Sequence, residues 1–194
     1  MSEHKNQFKN KIIIITGSTQ GIGAETAKLF ALRGAKGIVI CGRSEDKGNL
    51  VKDEIEKIGS ECFFVKTNLE NLDDCKNLIA RTDNYFGRID TLVNCAGCTE
   101  RGTILSTTPH LFEKMFNVNI RAPFFLIQDT IKIMRREKIK GTIGAVITMA
   151  AHSGMPFIAP YSASKGALVV LVKNLEKQVL KNLIFNIVDF DKTV

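Results

Sequence analysis

Short apolar runs alternate along the chain with longer segments of helical period. Residues 12–15, Ile12-Ile13-Ile14-Ile15, are apolar at every position, as in a strand covered on both faces of a parallel sheet. A helix is predicted over 21–32, closed near Gly34, and a second strand over 37–41. Ser44 can cap a helix that runs to about Ile58, just before Gly59. A third strand over 62–65, a helix over about 72–85 and a fourth strand over 91–93 follow. One long helix is expected from Pro109, a good first-turn residue, to about Glu137, bent at Pro123, which has no N–H to give. Strands over 143–148 and 183–188 flank a last helix from Tyr161 to about Lys181.

Strict alternation of strand and helix predicts a parallel sheet with helices on both faces. That is an α/β, doubly wound, Rossmann-like arrangement, read as a single domain over 1–194 with a polar tail at 1–10. In such sheets ligands bind beyond the carboxyl ends of the strands, so chemistry is sought there.

Composition narrows the function classes. With 44% hydrophobic and 24% charged residues, the 194-residue chain suits neither a disordered nor a fibrous class. The net charge of +7 is spread among acidic residues. The one dense basic run, Arg135, Arg136, Lys138 and Lys140, reads as a solvated helix end rather than a nucleic-acid surface. Basic charge also suits an anionic cofactor. The five cysteines form no even disulfide framework, and Cys95-Ala96-Gly97-Cys98 lacks the second pair or histidines that a zinc site needs. They read as buried free thiols, with no metal site expected. With no apolar run of membrane length and a polar N-terminus, a cytoplasmic protein without membrane contact is expected.

The first strand runs into Thr16-Gly17-Ser18-Thr19-Gln20-Gly21-Ile22-Gly23 and then a helix. Glycines at that junction admit a pyrophosphate to the backbone, and the helix N-terminus offers N–H donors and a favourable dipole. Residues 17–23 (Gly17, Ser18, Thr19, Gln20, Gly21, Ile22, Gly23) are therefore candidate cofactor contacts. Their spacing is GxxxGxG, not the common GxGxxG.

That spacing resembles the cofactor motif of the short-chain dehydrogenase/reductase family, and three further matches follow in order. Asn94-Cys95-Ala96-Gly97 is similar to the family's Asn-Asn-Ala-Gly, with Cys95 for the second Asn. Asn117-Val118-Asn119 resembles the helical segment that carries a structural and catalytic Asn, here Asn119. Tyr161-Ser162-Ala163-Ser164-Lys165 matches Tyr-x-x-x-Lys. The resemblance implies a nicotinamide cofactor, with Asn68, Leu69, Asn94, Ala96, Gly97, Tyr161 and Lys165 among its contacts. It implies a small carbonyl or alcohol substrate and self-association, as a dimer through the two long helices, where Phe112, Phe116, Phe124 and Phe125 are either interface or core.

The second strand ends in Cys41-Gly42-Arg43, without the Asp that NAD-preferring relatives tend to carry. Arg43 can grip a 2′-phosphate, so NADP is expected as cofactor, with NAD the alternative.

Tyr161 and Lys165, four apart on a helix, share a face. A nearby ammonium favours phenolate and suits Tyr161 to proton exchange with a carbonyl or alcohol oxygen. Counting thirteen back from Tyr161, the family's spacing for its catalytic Ser, reaches Thr148. A gapped reading reaches Ala151, and Ser153 stands close by. His152 could meet substrate. The resemblance gives Asn119 a water linking Lys165 to solvent.

Relatives in the family continue several dozen residues further than Val194, with a Pro-Gly motif, a seventh strand and substrate-covering helices. The reading from this sequence is therefore an oxidoreductase with weak cofactor binding and little turnover as it stands. The alternative is a non-catalytic fold that binds cofactor or a sister subunit.

Overall fold

The computed structural model describes residues 6–177 and 184–189. Six parallel strands form one sheet in the order β3-β2-β1-β4-β5-β6. They are β1 (Ile12–Ile15), β2 (Gly37–Gly42), β3 (Glu61–Lys66), β4 (Thr91–Asn94), β5 (Thr142–Ile147) and β6 (Ile184–Asp189). The order reverses between β1 and β4, which opens a crevice at their carboxyl ends.

β1 shows why a continuous apolar run is needed. Ile13 and Ile15 face one layer with α1 (Gly21–Leu32) and α2 (Glu45–Ile58), while Ile14 faces the other. That second layer holds α3 (Leu72–Phe86), α5 (Ala122–Arg136) and α6 (Ala159–Lys177). Ala24, Ala27 and Ala31 give α1 a small-residue face against the sheet. The segment read as the end of a polar tail turns back on the fold, with the Phe8 ring 4.7 Å from that of Phe30.

Helix bounds follow their caps. The Ser44 side chain accepts from the Lys47 amide, Gly59 takes the left-handed conformation at φ 112°, and Asn71 caps α3 through the Asp73 amide. The single long helix expected over 109–137 is corrected. It consists of α4 (Pro109–Phe116), a π-helical turn over Asn117–Arg121, and α5. Pro123 cannot donate to the Asn119 carbonyl, and the chain widens upstream so that the Ala122 amide bonds Asn117 O instead. The interruption thus lies before the proline. Thr148, expected at the end of the fifth strand, follows β5 as cap of a 3₁₀ turn over Met149–Ala151. α6 begins at Ala159; the expected stretch to Lys181, and Leu183, lie outside the described residues.

At the amino end of the sheet, Asp90 is buried and fastens three strands. Its carboxylate accepts from the Ile12 amide at 3.0 Å, from Arg88 Nε and Nη2 at 2.9 and 2.7 Å, and from Lys11 Nζ at 3.3 Å. Its backbone bonds Ile12 O and the Thr142 amide. Burial pushes the carboxyl up, but Arg88, the Ile12 amide and Lys11 together hold it below its ordinary value. The stabilisation is therefore present above the ordinary carboxylate range and lost as pH falls below it. Asp90→Ala leaves two cations and a buried amide without their acceptor. It should cost about 3–5 kcal/mol in urea unfolding at neutral pH and lose less of its stability on acidification than the parent chain.

Candidate functional site

The crevice at the β1–β4 divergence is a cleft of about 500 Å³. Its floor is the turn from β1 to α1. Gly17 has φ 65°, and a Cβ there would stand 2.8 Å from Ala96 Cα. A Cβ on Gly23 would collide with the Gly17 carbonyl. Both positions therefore require glycine, one by conformation and by its neighbour, the other by its neighbour alone. Thr16 Oγ1 accepts from both the Cys95 and Ala96 amides at 3.1 Å and binds the turn to the loop after β4. Ser18 Oγ donates to Ile15 O at 2.6 Å and accepts from the Cys41 amide at 3.0 Å, which binds the turn to β2.

Of the expected cofactor contacts, Gly17, Thr19, Gln20, Gly21, Ile22 and Gly23 line this cleft, with Arg43, Asn68, Leu69, Ala96 and Gly97. Ser18 and Asn94 are buried, and their side chains do not reach it. Asn94 Nδ2 reaches toward Gly144 O at 3.4 Å, and its Oδ1 has no partner. Sequence reasoning missed Lys47, Thr67, Glu70, Glu100 and Lys114, which also line the cleft. Lys47 could have been found, since it stands four residues after Arg43 in a capped first turn. Its ammonium bonds Gln20 Oε1 at 2.7 Å. Cys95 and Cys98, read as buried thiols, are half-buried and line the cleft, whereas Cys41, Cys62 and Cys75 are buried. Burial pushes the thiols of Cys95 and Cys98 up from their ordinary value.

Beyond Gly97 lie the residues expected to act chemically. Asn119 is fully buried in the π-helical turn. Its Oδ1 accepts from the Cys98 amide at 2.8 Å, and its Nδ2 donates to Cys98 O at 2.8 Å and to Ser164 Oγ at 2.9 Å. Ser164 Oγ donates in turn to Tyr161 O at 2.8 Å. Ser164 was not singled out from the sequence, although it lies inside the Tyr-x-x-x-Lys segment. It joins Asn119 to the first turn of α6.

Lys165 is 3% exposed and donates to Val146 O, near the end of β5, at 3.0 Å. A Cβ on Gly97 would lie 3.5 Å from its Nζ, so the ammonium stands behind Gly97, although neither Lys165 nor Tyr161 is itself among the residues lining the cleft. Burial pushes it down to about 8, opposed weakly by the Cys95 thiol. Thr148 stands two residues past Val146, and its Oγ1 accepts from the Ala150 amide at 3.3 Å. Ala151 closes the same 3₁₀ turn. Tyr161 is half-buried one helical turn before Lys165.

A glycine-floored turn and a loop held against it thus line one crevice, and a buried ammonium stands behind that loop's Gly97. The profile described as short chain dehydrogenase matches residues 11–188. The chain belongs to this family. It is 36% identical over 168 residues to an "uncharacterized oxidoreductase" of Thermotoga maritima, covering 87% of this chain and 65% of that one. It is 31% identical to a 3-oxoacyl-[acyl-carrier-protein] reductase of Synechocystis, covering 87% and 68%. Among solved structures, a metagenomic short-chain oxidoreductase in complex with NADP superposes with a TM-score of 0.89 at 26% identity, covering 94% of this chain and 82% of that one. A family member from Burkholderia phymatum in complex with NAD also scores 0.89, at 23% identity over 94% and 66%, and attests the fold alone. The chain thus spans about two thirds of the length of these curated relatives. No helix among the described residues is long and apolar enough to cross a membrane.

The Lys165 displacement has a measurable sign. Between about pH 8 and its ordinary 10.5, the unfolded chain holds a proton that the folded chain has released. The folded state therefore gains stability from this group as pH rises through that window. Burial raises the thiols of Cys41, Cys62 and Cys75, which titrate with the opposite sign, so the effect is read as a difference: the urea-unfolding stability of the cofactor-free protein relative to Lys165→Met should increase across that window. Parallel curves for the two proteins would contradict a displaced Lys165.

Proposed function

We propose that this chain is an NADP-dependent oxidoreductase acting on a carbonyl or alcohol substrate. The observation that supports the reading is the cleft itself, floored by Gly17 and Gly23, lined by Arg43 and Lys47, and bordered by Gly97, which stands close to the buried Lys165 ammonium. The cofactor fits the residues present. Gly17 and Gly23 leave backbone where a Cβ would obstruct, and two cations stand where a carboxylate would repel a 2′-phosphate. When bound, the nicotinamide supplies or takes up hydride.

This chain's own residues do the rest. Gly17–Gly23 and the start of α1 hold the pyrophosphate, while Asn68, Leu69, Ala96 and Gly97 border the adenosine half. Arg43 and Lys47 grip the 2′-phosphate. Lys165 Nζ holds the nicotinamide ribose, and its charge favours phenolate at Tyr161. Tyr161 Oη gives a proton to the carbonyl oxygen, or takes one from the alcohol. Thr148 Oγ1 hydrogen-bonds that same oxygen. Asn119 holds the Cys98 loop against α6, as its two bonds to the Cys98 backbone support, and positions the water that relays protons from Lys165. The reductase names of several relatives favour carbonyl reduction as the working direction.

Self-association belongs to the same reading. Phe112 and Phe124 are exposed on α4 and α5, and Phe112 stacks on Phe116 with ring centroids 4.2 Å apart. A dimer through these helices should sediment as such at micromolar concentration and dissociate in Phe124→Glu.

Two substitutions test the chemistry. Arg43→Ala and Lys47→Ala should each weaken NADPH by about 1.5–3 kcal/mol and leave NADH nearly unchanged, measured as dissociation constants. Equal wild-type affinities for the two cofactors would end the NADP assignment. Tyr161→Phe should lower turnover by at least about a hundredfold while cofactor affinity holds. Near-normal turnover in that variant would remove Tyr161 from the chemistry.

A further inference from the structure

The amino end of the sheet, opposite the cleft, gathers cations from three separate stretches of chain. Lys11 precedes β1, Arg88 precedes β4, and Lys138 and Lys140 precede β5. Because β1, β4 and β5 are neighbours in the sheet, these four residues come to line one cavity of about 350 Å³. Two carboxylate residues, Asp90 and Glu137, line it as well. A whole small molecule fits a space of that size.

Neither carboxylate is free to answer the lysines. Asp90 is buried, and its oxygens are taken by Arg88, Lys11 and the Ile12 amide. Glu137 is taken by Arg136 Nε at 2.7 Å. Among the described residues the ion pairs at this end are made by Lys11, Arg88 and Arg136, and none by Lys138 or Lys140. Like charges gathered round one space repel, and the cavity holds more cations than its carboxylates can neutralise. The Arg88 guanidinium is fixed through Nε and Nη2, and its Nη1 makes no hydrogen bond among the described residues, so a donor remains on a fork already held in place.

A helix end accounts for part of the basic run and not for the rest. α3 and α5 both finish here, and the open carbonyls of a helix end favour a cation. Arg136 fills that role, reaching Gly87 O at 3.5 Å and gripping Asp83 with Nη1 and Nη2. Lys138 stands past the helix. The Ile139 amide bonds Met134 O at 2.8 Å, which closes α5, and Lys138 takes the left-handed conformation at φ 55°. Glycine holds that conformation without cost and lysine does not. The cation is therefore kept where the fold alone would favour glycine.

We propose that this cavity binds a small multivalent phosphate, with Lys11, Lys138 and Lys140 as ammonium donors and Arg88 as a fixed guanidinium. Ammonium groups arriving from different strand ends suit a tetrahedral oxyanion, which offers acceptors in every direction, better than a planar carboxylate. The bound anion balances the excess charge and ties the starts of β1, β4 and β5 together, so it stabilises the fold. The site is separate from the cofactor cleft and does not rest on the chemistry proposed there.

The test is a titration of inorganic pyrophosphate into isotope-labelled protein, with and without NADPH. It is read at the amide resonances of Gly87 and Ile139 beside the cavity and of Gly17 and Gly21 in the cleft. Gly87 and Ile139 should shift saturably whether or not NADPH is present, with citrate at least about tenfold weaker than pyrophosphate. Lys138→Gly combined with Lys140→Ala should weaken pyrophosphate by at least about tenfold at these resonances. Its Tm in anion-free buffer should hold or rise, because glycine relieves the backbone at 138. Lys140→Ala alone, which leaves the end of α5 untouched, should weaken binding by about threefold. Arg43→Ala with Lys47→Ala should leave the cavity's affinity within about twofold. Shifts confined to Gly17 and Gly21, citrate bound as tightly as pyrophosphate, or unchanged affinity in the lysine variants would each overturn the proposal.

Discussion

Gly17 and Ala96 approach so closely that no side chain fits between them, and the geometry of the cleft follows from that approach. β1 and β4 are neighbours in the sheet, yet their connections leave in opposite directions, so the two backbones must part within one residue of the sheet's edge. The Thr16 hydroxyl spans the gap by accepting from two successive amides. Ser18 does the same work toward β2. The turn's own side chains are thereby used to fix it, and its backbone remains to face the cleft. A site built this way tolerates little change at 16, 17, 18 and 23 and much more at 19, 20 and 22.

The two ends of the sheet treat buried charge in opposite ways. At the amino end Asp90 is surrounded by two cations and an amide, and its ionised form is the favoured one. At the carboxyl end Lys165 has a neutral carbonyl at 3.0 Å and a thiol nearby, and its ionised form is disfavoured. A saturated ion pair is a fastening, while an ammonium held in a dry site against a neutral acceptor is poised to interact with something that arrives later. Cys95 softens the contrast, since its thiol opposes the effect of burial on the ammonium.

Much of this was legible in the chain. The Ile12–Ile15 run, the α1 bounds and the Ser44 cap carry their own signals, because strand burial, helix period and capping are local. Gly17 and residues 19–23 reach the cleft because a strand-turn-helix unit fixes where its backbone goes. What was not legible depends on distance in the chain. Glu100 and Lys114 pair beside the cleft across a loop whose path no periodicity announces. Ser18 turns inward to bond Ile15 O and the Cys41 amide, and Asn94, last in β4, reaches toward Gly144 O, which the motif alone does not reveal. Thr148 against Ala151 is a question of where β5 ends. The register Asn94↔Ala145 places Thr148 first after the strand and Ala151 at the far side of the 3₁₀ turn.

The π-helical turn at Asn117–Arg121 acts on rotational phase. One residue more per turn delays everything downstream by about 100° relative to a regular helix. Asn119 can therefore face the Cys98 loop while Leu126, Ile127 and Thr130 of α5 still point into the core. The segment is consequently tuned by its length more than by its composition. Deleting a single residue between 117 and 121 would shift that phase and at once rotate α5's apolar face out of the core or Asn119 away from its loop. Sequence drift that keeps the residue count can be absorbed at these positions, whereas a one-residue slip sets the packing of the domain against the placement of its amide.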